Sequence, residues 1–264
     1  MKKVLLSVLL SSLSLTAFAQ DEGDGPPEGG PPRWSVGLGA MIKDSPYAGE
    51  GTDVQPIPLV SYEGERFYFR GITAGWRFID TDAFELSALG KFRFDGFKVD
   101  DLGRVELARN GIDYRLLEDR DMGFDLGVGM TWKGRGGELE FELLADATGT
   151  SEGQEASLQY GYPIEIGRGQ LTPNIGVTWQ SKDMANYYYG TLEEEVARGV
   201  VDYKPGSVTI PHVGVQYFRP IGEKWSVMGF ARYSSLPDEL SDSPFLEPDT
   251  DGTASLFIGF SRGF

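Results

Sequence analysis

The residue best equipped for chemistry is the one histidine, His212, in the run TIPHVGVQ at 209–216. A nucleophilic triad needs a serine, the imidazole and an orienting acid within hydrogen-bond reach. Many serines could lie beside His212, and no G-x-S-x-G elbow is expected to single one out. His212 therefore reads as a lumen-facing or rim residue, with a barrel-embedded hydrolase as the lesser alternative, and no catalytic residue is expected. A second group is acidic. Glu138, Glu140, Glu142 and Asp146 fall on one face of a run of alternating residues. Side by side they repel one another unless solvated or paired with cations such as Arg93, Arg115 or Arg232. They fit either a cation-preferring lumen or a charge network bracing a wall. A third group is the loop at 182–207, where Tyr187, Tyr188 and Tyr189 precede Glu193, Glu194 and Glu195. Consecutive tyrosines offer rigid amphipathic contact area. This loop is expected to fold over a mouth with its tyrosines inward, or else to present a partner site.

Metal and cofactor chemistry finds little support. The chain has no cysteine, which removes disulfides, thiolate zinc sites and cysteine nucleophiles. One histidine cannot make a multi-histidine centre. Asp249-Thr250-Asp251-Gly252 begins like a calcium loop, but Phe260 stands where the bidentate glutamate belongs. No cofactor or metal is expected. A formal net charge of −16 argues against phosphate-backbone binding, so no nucleic-acid partner is expected.

The elements that position these groups read as strands. Residues 1–19 have a charged start (Lys2, Lys3), an apolar stretch from Val4 to Phe18 and an Ala17-Phe18-Ala19 cleavage site, the pattern of a secretory signal peptide cut after Ala19. Residues 20–32 are a Pro/Gly/acidic linker expected to be flexible. From Arg33 to Phe264 the chain alternates with period two between Gly, Asp, Pro and Ser turns. In 122–133, for example, Met122, Phe124, Leu126, Val128, Met130 and Trp132 oppose Asp125, Gly127, Gly129, Thr131 and Lys133.

A soluble sandwich also alternates. These runs, however, reach the ~9–11 residues that a tilted membrane-crossing strand needs, and aromatics sit near their ends as in interfacial girdles. The expected fold is all-β: an antiparallel transmembrane β-barrel over 33–264 in the outer membrane of a Gram-negative bacterium. Eleven runs read as strands, including 66–79 as one strand and 82–94 as the next. Bacterial single-chain barrels have even strand numbers. The missing strand is placed at 109–117, which gives twelve strands with 95–108 as a long inner turn; ten is the alternative.

The chain ends SLFIGFSRGF, with Leu256, Ile258, Phe260 and the terminal Phe264 on one face. This resembles the C-terminal assembly signal of outer-membrane barrels, with Arg262 as the departure. The segment WSVGLGAMIKDSPYAGEGTDVQPIPLVSYEGERFYFRG (34–71), the loop NYYYGTLEEEVARGVVDYKPGS (186–207) and the Phe-terminated last strand together resemble the MipA/OmpV family of outer-membrane proteins. That resemblance implies a barrel in contact with outer-membrane lipid and the barrel-assembly machinery. For the best-known family member it implies a scaffold joining a lytic transglycosylase to a bifunctional penicillin-binding protein. It carries over no catalytic residues. Other members are adhesins or porin-like proteins, and a small channel with an acidic lumen is the alternative function.

Overall fold

The computed structural model describes residues 32–264, so the signal-peptide and linker expectations for 1–31 lie outside the described residues. The wall begins with β1 (Trp34–Asp44), β2 (Thr52–Glu63), β3 (Phe67–Arg70), β4 (Thr73–Asp80) and β5 (Phe84–Arg93). It continues with β6 (Gly123–Gly134), β7 (Gly137–Asp146), β8 (Gln154–Gly161), β9 (Ile164–Ile166) and β10 (Gly169–Gln180). It ends with β11 (Val208–Ile221), β12 (Trp225–Ser235) and β13 (Gly252–Gly263). Apart from β8 and β9, each strand pairs antiparallel with its sequence neighbours, and β13 pairs with β1, closing the sheet. β8 and β9 both pair with β10 and form one wall position interrupted at Tyr162-Pro163, because proline cannot donate to the ladder. The result is a closed twelve-position antiparallel barrel.

Twelve is the expected number, but the twelfth strand is not where the sequence places it. The run 66–79 is two strands, β3 and β4, joined at Gly71-Ile72, with Arg70 opposite Thr73. Gly71 has φ +60°, a left-handed conformation that glycine adopts without a Cβ penalty. Gly71→Val is expected to destabilise the barrel by about 1–2 kcal/mol, read as a lower temperature for loss of the heat-modifiable gel mobility of the folded form. The stretch 109–117 is not a strand: α1 (Arg104–Arg109) ends there and a 3-10 turn follows at Tyr114–Leu116. Its alternation arises because Ile112 and Leu117 are buried in an apolar core, with Tyr114 and Leu116 packed against it.

With the hairpin at Gly71-Ile72, every connection falls into place. Short turns at 64–66, 81–83, 135–136, 167–168 and 222–224 share the end where β1 begins and β13 stops. The connections 45–51, 71–72, 94–122, 147–153, 181–207 and 236–251 share the other end. Residues 95–108 are therefore outer loop rather than inner turn. Short periplasmic turns and long outer loops are the normal polarity of such barrels.

The outward face is apolar. Leu38, Trp76, Leu126, Val128, Ile175, Val213, Ile258 and Phe260 are all exposed large hydrophobics, as a lipid-facing surface requires. Trp34, Phe67, Trp132, Trp225 and Phe264, at the inner ends of their strands, make an aromatic belt. Arg262 belongs to that belt: its guanidinium lies 5.8 Å from the Trp225 ring and 5.1 Å from the Phe264 ring. A cation on aromatic faces at the interface accounts for arginine in an otherwise apolar last strand.

Candidate functional site

Inward-facing side chains fill the lumen with two different linings. One is charged. Arg93 bonds Asp125 through Nε (2.8 Å) and Nη2 (2.7 Å), and reaches Asp95 (2.7 Å) and Glu155 (2.9 Å) through Nη1. Gln180 donates to Glu155 at 3.3 Å, and Lys91 pairs with Glu142 at 3.3 Å. Gln159 is a hub whose Oε1 accepts from Arg232 at 2.7 Å and from His212 Nε2 at 3.3 Å, while its amide donates to Glu140 at 3.4 Å. The other lining is apolar: Met41, Ile57, Met228 and Phe257 are buried together, with Leu59, Ile72, Phe218 and Phe230 against them. The facing-strand register brings about both linings, since period-two alternation sends every second residue inward.

The sequence-selected acids separate here. Glu140 and Glu142 join the lumen network, and Glu138 shares their face nearer the inner end. Asp146 does not act as a lumen acid. Its carboxylate accepts from the backbone N–H groups of Thr148 (2.8 Å), Ser151 (2.6 Å) and Glu152 (2.9 Å), and so shapes the outer loop 147–153. Arg115, a candidate lumen cation by sequence, instead pairs with Asp113 at 2.6 Å in an outer loop. Arg93 and Arg232 are the arginines that meet the network.

His212 is buried beside Gly176, whose Cβ, were there one, would stand 2.6 Å from the imidazole Nε2. Among the described residues no serine hydroxyl bonds to His212. Contrary to the expectation that no G-x-S-x-G is present, the run Gly149-Thr150-Ser151-Glu152-Gly153 has that spacing. It forms an outer loop instead of a strand-to-helix elbow, and Ser151 Oγ lies 3.4 Å from Asp146 and 3.6 Å from the Met184 sulfur. His212→Ala is expected to cost about 1 kcal/mol through the lost Gln159 bond and to leave the heat-modifiable fold intact. A hydrolase activity abolished by that change would overturn this reading.

Over the charged lumen, four outer loops pack into one apolar core. Tyr47 and Ala48 come from the first loop, Phe97, Leu102, Leu107, Ile112 and Leu117 from 94–122, Ala185 and Val200 from 181–207, and Leu236, Leu240, Phe245 and Leu246 from the last. Within 181–207, α2 (Lys182–Tyr189) is capped by Ser181, and α3 (Glu193–Ala197) follows. Tyr188 is buried, Tyr189 stacks on Tyr47, and Tyr187 packs edge-on against Tyr188 and accepts the Asp121 N–H through its hydroxyl at 2.9 Å. Burial pushes the phenols of Tyr188 and Tyr189 far above their ordinary range.

The latch of this lid is an ion pair that the sequence reading missed. In the sequence Arg120 stands between Asp119 and Asp121 and reads as part of a charged hairpin turn. It is instead wholly buried, with Nη2 2.8 Å from Glu195 Oε2 and Nη1 2.9 Å from Oε1. Its remaining donors go to the carbonyls of Tyr187, Glu118 and Gly190, and its plane faces Phe97 and Phe245. Glu195 also accepts the N–H groups of Glu118 and Leu192. Burial raises the Glu195 carboxyl, but Arg120 and those backbone donors outweigh it and hold the group below its usual range. Glu193 and Glu194, picked from sequence as loop contacts, lie in the first turn of α3, and neither is buried. Only Glu195 of the triplet enters the core, a choice set by helical phase rather than by composition.

The family model described as MltA-interacting protein MipA matches residues 36–264, from the first wall strand through β13 and Phe264. The chain belongs to this family. Among similar proteins, Putative outer membrane protein YiaT of Escherichia coli K12 is 33% identical over 217 residues, 81% of this chain and 84% of that protein. The MltA-interacting protein of the same organism is 30% identical over 261 residues, 98% of each chain. Outer membrane protein OmpV of Vibrio cholerae is 24% identical over 131 residues, 50% of this chain and 51% of that one. Among solved structures, the NanC porin matches with TM-score 0.46 at 9% identity, over 87% of this chain and the whole of that one. This MipA-family barrel is an outer-membrane protein.

Proposed function

We propose that this barrel is a non-enzymatic interaction scaffold of the cell envelope, holding a lytic transglycosylase and a penicillin-binding protein at the inner face of the outer membrane. The observation that carries the reading is the end-to-end similarity to a protein named MltA-interacting protein. The inner end offers the surface for it. Arg135 and Arg168 are exposed in the inner turns 135–136 and 167–168, and Glu65, Arg66, Asp82, Glu223 and Lys224 are exposed in the others. Phe260, outward on the closing strand β13, and Phe264, exposed just past its end, are the residues for the assembly machinery to read.

The test is co-purification from detergent-solubilised envelopes containing the peptidoglycan enzymes. Recovery of a lytic transglycosylase is expected, weakened by Arg135→Glu with Arg168→Glu; consistent absence of any such enzyme removes the scaffold. The network around Arg93 and the packed outer loops favour the scaffold over an open conduit. Planar-bilayer recordings of the full barrel are expected to show no steady open channel, and a stable cation-selective conductance would restore the channel reading.

A further inference from the structure

The wall has a gap. β2 rises to Thr52, but its ladder to β3 stops at Ser61. At about 3.3 Å per residue, residues 52–59 present roughly 25 Å of strand edge without a neighbour on that side. The gap is framed on every side. Below it the tip Gly71-Ile72 bonds to Val60 on one flank and to Phe92 on the other, both at 3.0 Å. Across it stand the end of β5 and residues 94–98, and above it Gly103 donates to Ala48 at 2.8 Å. Among the described residues no backbone hydrogen bond joins 52–59 to 94–103.

The edge of β2 is built to stay unpaired. Glu63 N–H points to β1, donating to Arg33, whereas the Val60 carbonyl points to the gap, accepting from Gly71. Odd positions of β2 therefore serve β1 and even positions face the gap. Two of those even positions are Pro56 and Pro58, which have no N–H, and the Val54 N–H is taken by the Asp53 carboxylate at 2.8 Å. From 54 to 58 the edge offers no free donor, which blunts it against an added strand.

Both lips are apolar. Outside, Val54 (61% exposed), Val60 (37%) and Phe92 (51%) meet the lipid. Inside, Ile57, Leu59 and Ile72 belong to the apolar half of the lumen with Met41 and Phe257. Met41 and Met228 supply flexible side chains that repack around a guest. The latched loops pack over the outer mouth, so from the outer side this half of the lumen is approached sideways through the wall. We propose that the gap between β2 and β5 is a lateral portal through which neutral, apolar small molecules pass between the lipid phase and the apolar lining of the barrel.

The test uses the full chain in lipid vesicles with trifluoromethyl-iodophenyl-diazirine, a neutral photolabel dissolved in the bilayer, and peptide mapping of the adducts. Labelling is expected at the inward residues Met41, Ile57 and Phe257 as well as at the outward Leu38, Val54 and Phe92. Ile72→Trp or, as a second plug at the outer lip, Val60→Trp is expected to lower inward labelling by at least about fivefold by filling the opening, with Leu38 unchanged. Heat-modifiable mobility establishes which plugged variants fold. Outward labelling with no adduct at Met41, Ile57 or Phe257 would overturn the portal, and so would inward labelling that both folded plugs leave unchanged. Neither result bears on the binding of peptidoglycan enzymes at the inner turns.

Discussion

Arg120→Met is expected to unlatch the outer loops while leaving the wall closed. The change removes the cation from a wholly buried pair and strands Glu195 among apolar side chains. Breaking a buried pair in this way costs about 3–5 kcal/mol, and here it also frees the carbonyls of Tyr187, Glu118 and Gly190. The strand ladders do not depend on it. Amide exchange across 181–207 and 94–122 should accelerate by two orders of magnitude or more, since about 1.4 kcal/mol is a factor of ten, with the heat-modifiable mobility of the barrel retained. Unchanged loop protection would show that the apolar core holds the lid by itself. The same pair predicts an acid response. The Glu195 carboxyl titrates lower in the folded lid than in an open loop. Its stabilisation is therefore complete above the ordinary glutamate value of about 4.3, and it is lost as pH falls from there through the folded value. Loop exchange should rise on acidification below that point and stay flat above it.

Arg93→Gln is expected to act on the wall instead. Arg93 is the shared partner of Asp95, Asp125 and Glu155, which come from three separate segments. Without it the three carboxylates face one another in a water-poor lumen, and the loss should reach about 3–5 kcal/mol. The temperature at which the folded gel mobility is lost should drop accordingly. Adding Asp125→Asn to Arg93→Gln should recover part of it, because one of the repelling charges is gone. A double variant no more stable than the single would show that the network owes its worth to hydrogen bonding rather than to charge balance.

Alternation made most of the wall legible, because it is a local property: each strand must send apolar groups to lipid and polar groups inward. The split of 66–79 was legible too. Phe67 and Phe69 fall on odd positions, whereas Ala74, Trp76 and Phe78 fall on even ones. That change of phase at Gly71-Ile72 marks a two-residue turn. At 109–117, by contrast, the alternation of Ile112, Tyr114 and Leu116 was a false signal, since residues turned towards a loop core can mimic a strand over so short a run.

The sequence by itself determined the class of the protein: a barrel with its apolar face outward, an aromatic belt, long loops at one end and a family resemblance carried by ordered motifs. Only the tertiary structure decided which charges matter and where the wall is incomplete. Arg120 and Glu195 stand 75 positions apart, and nothing near either one marks it for burial. Asp146 and Glu142 look alike in the sequence, yet one shapes a loop and the other pairs with Lys91 across the lumen. The prolines of β2 acquire meaning only once β3 proves too short to reach them. Pairing, burial and closure depend on which segments meet in space, and a periodicity read along the chain does not contain that information.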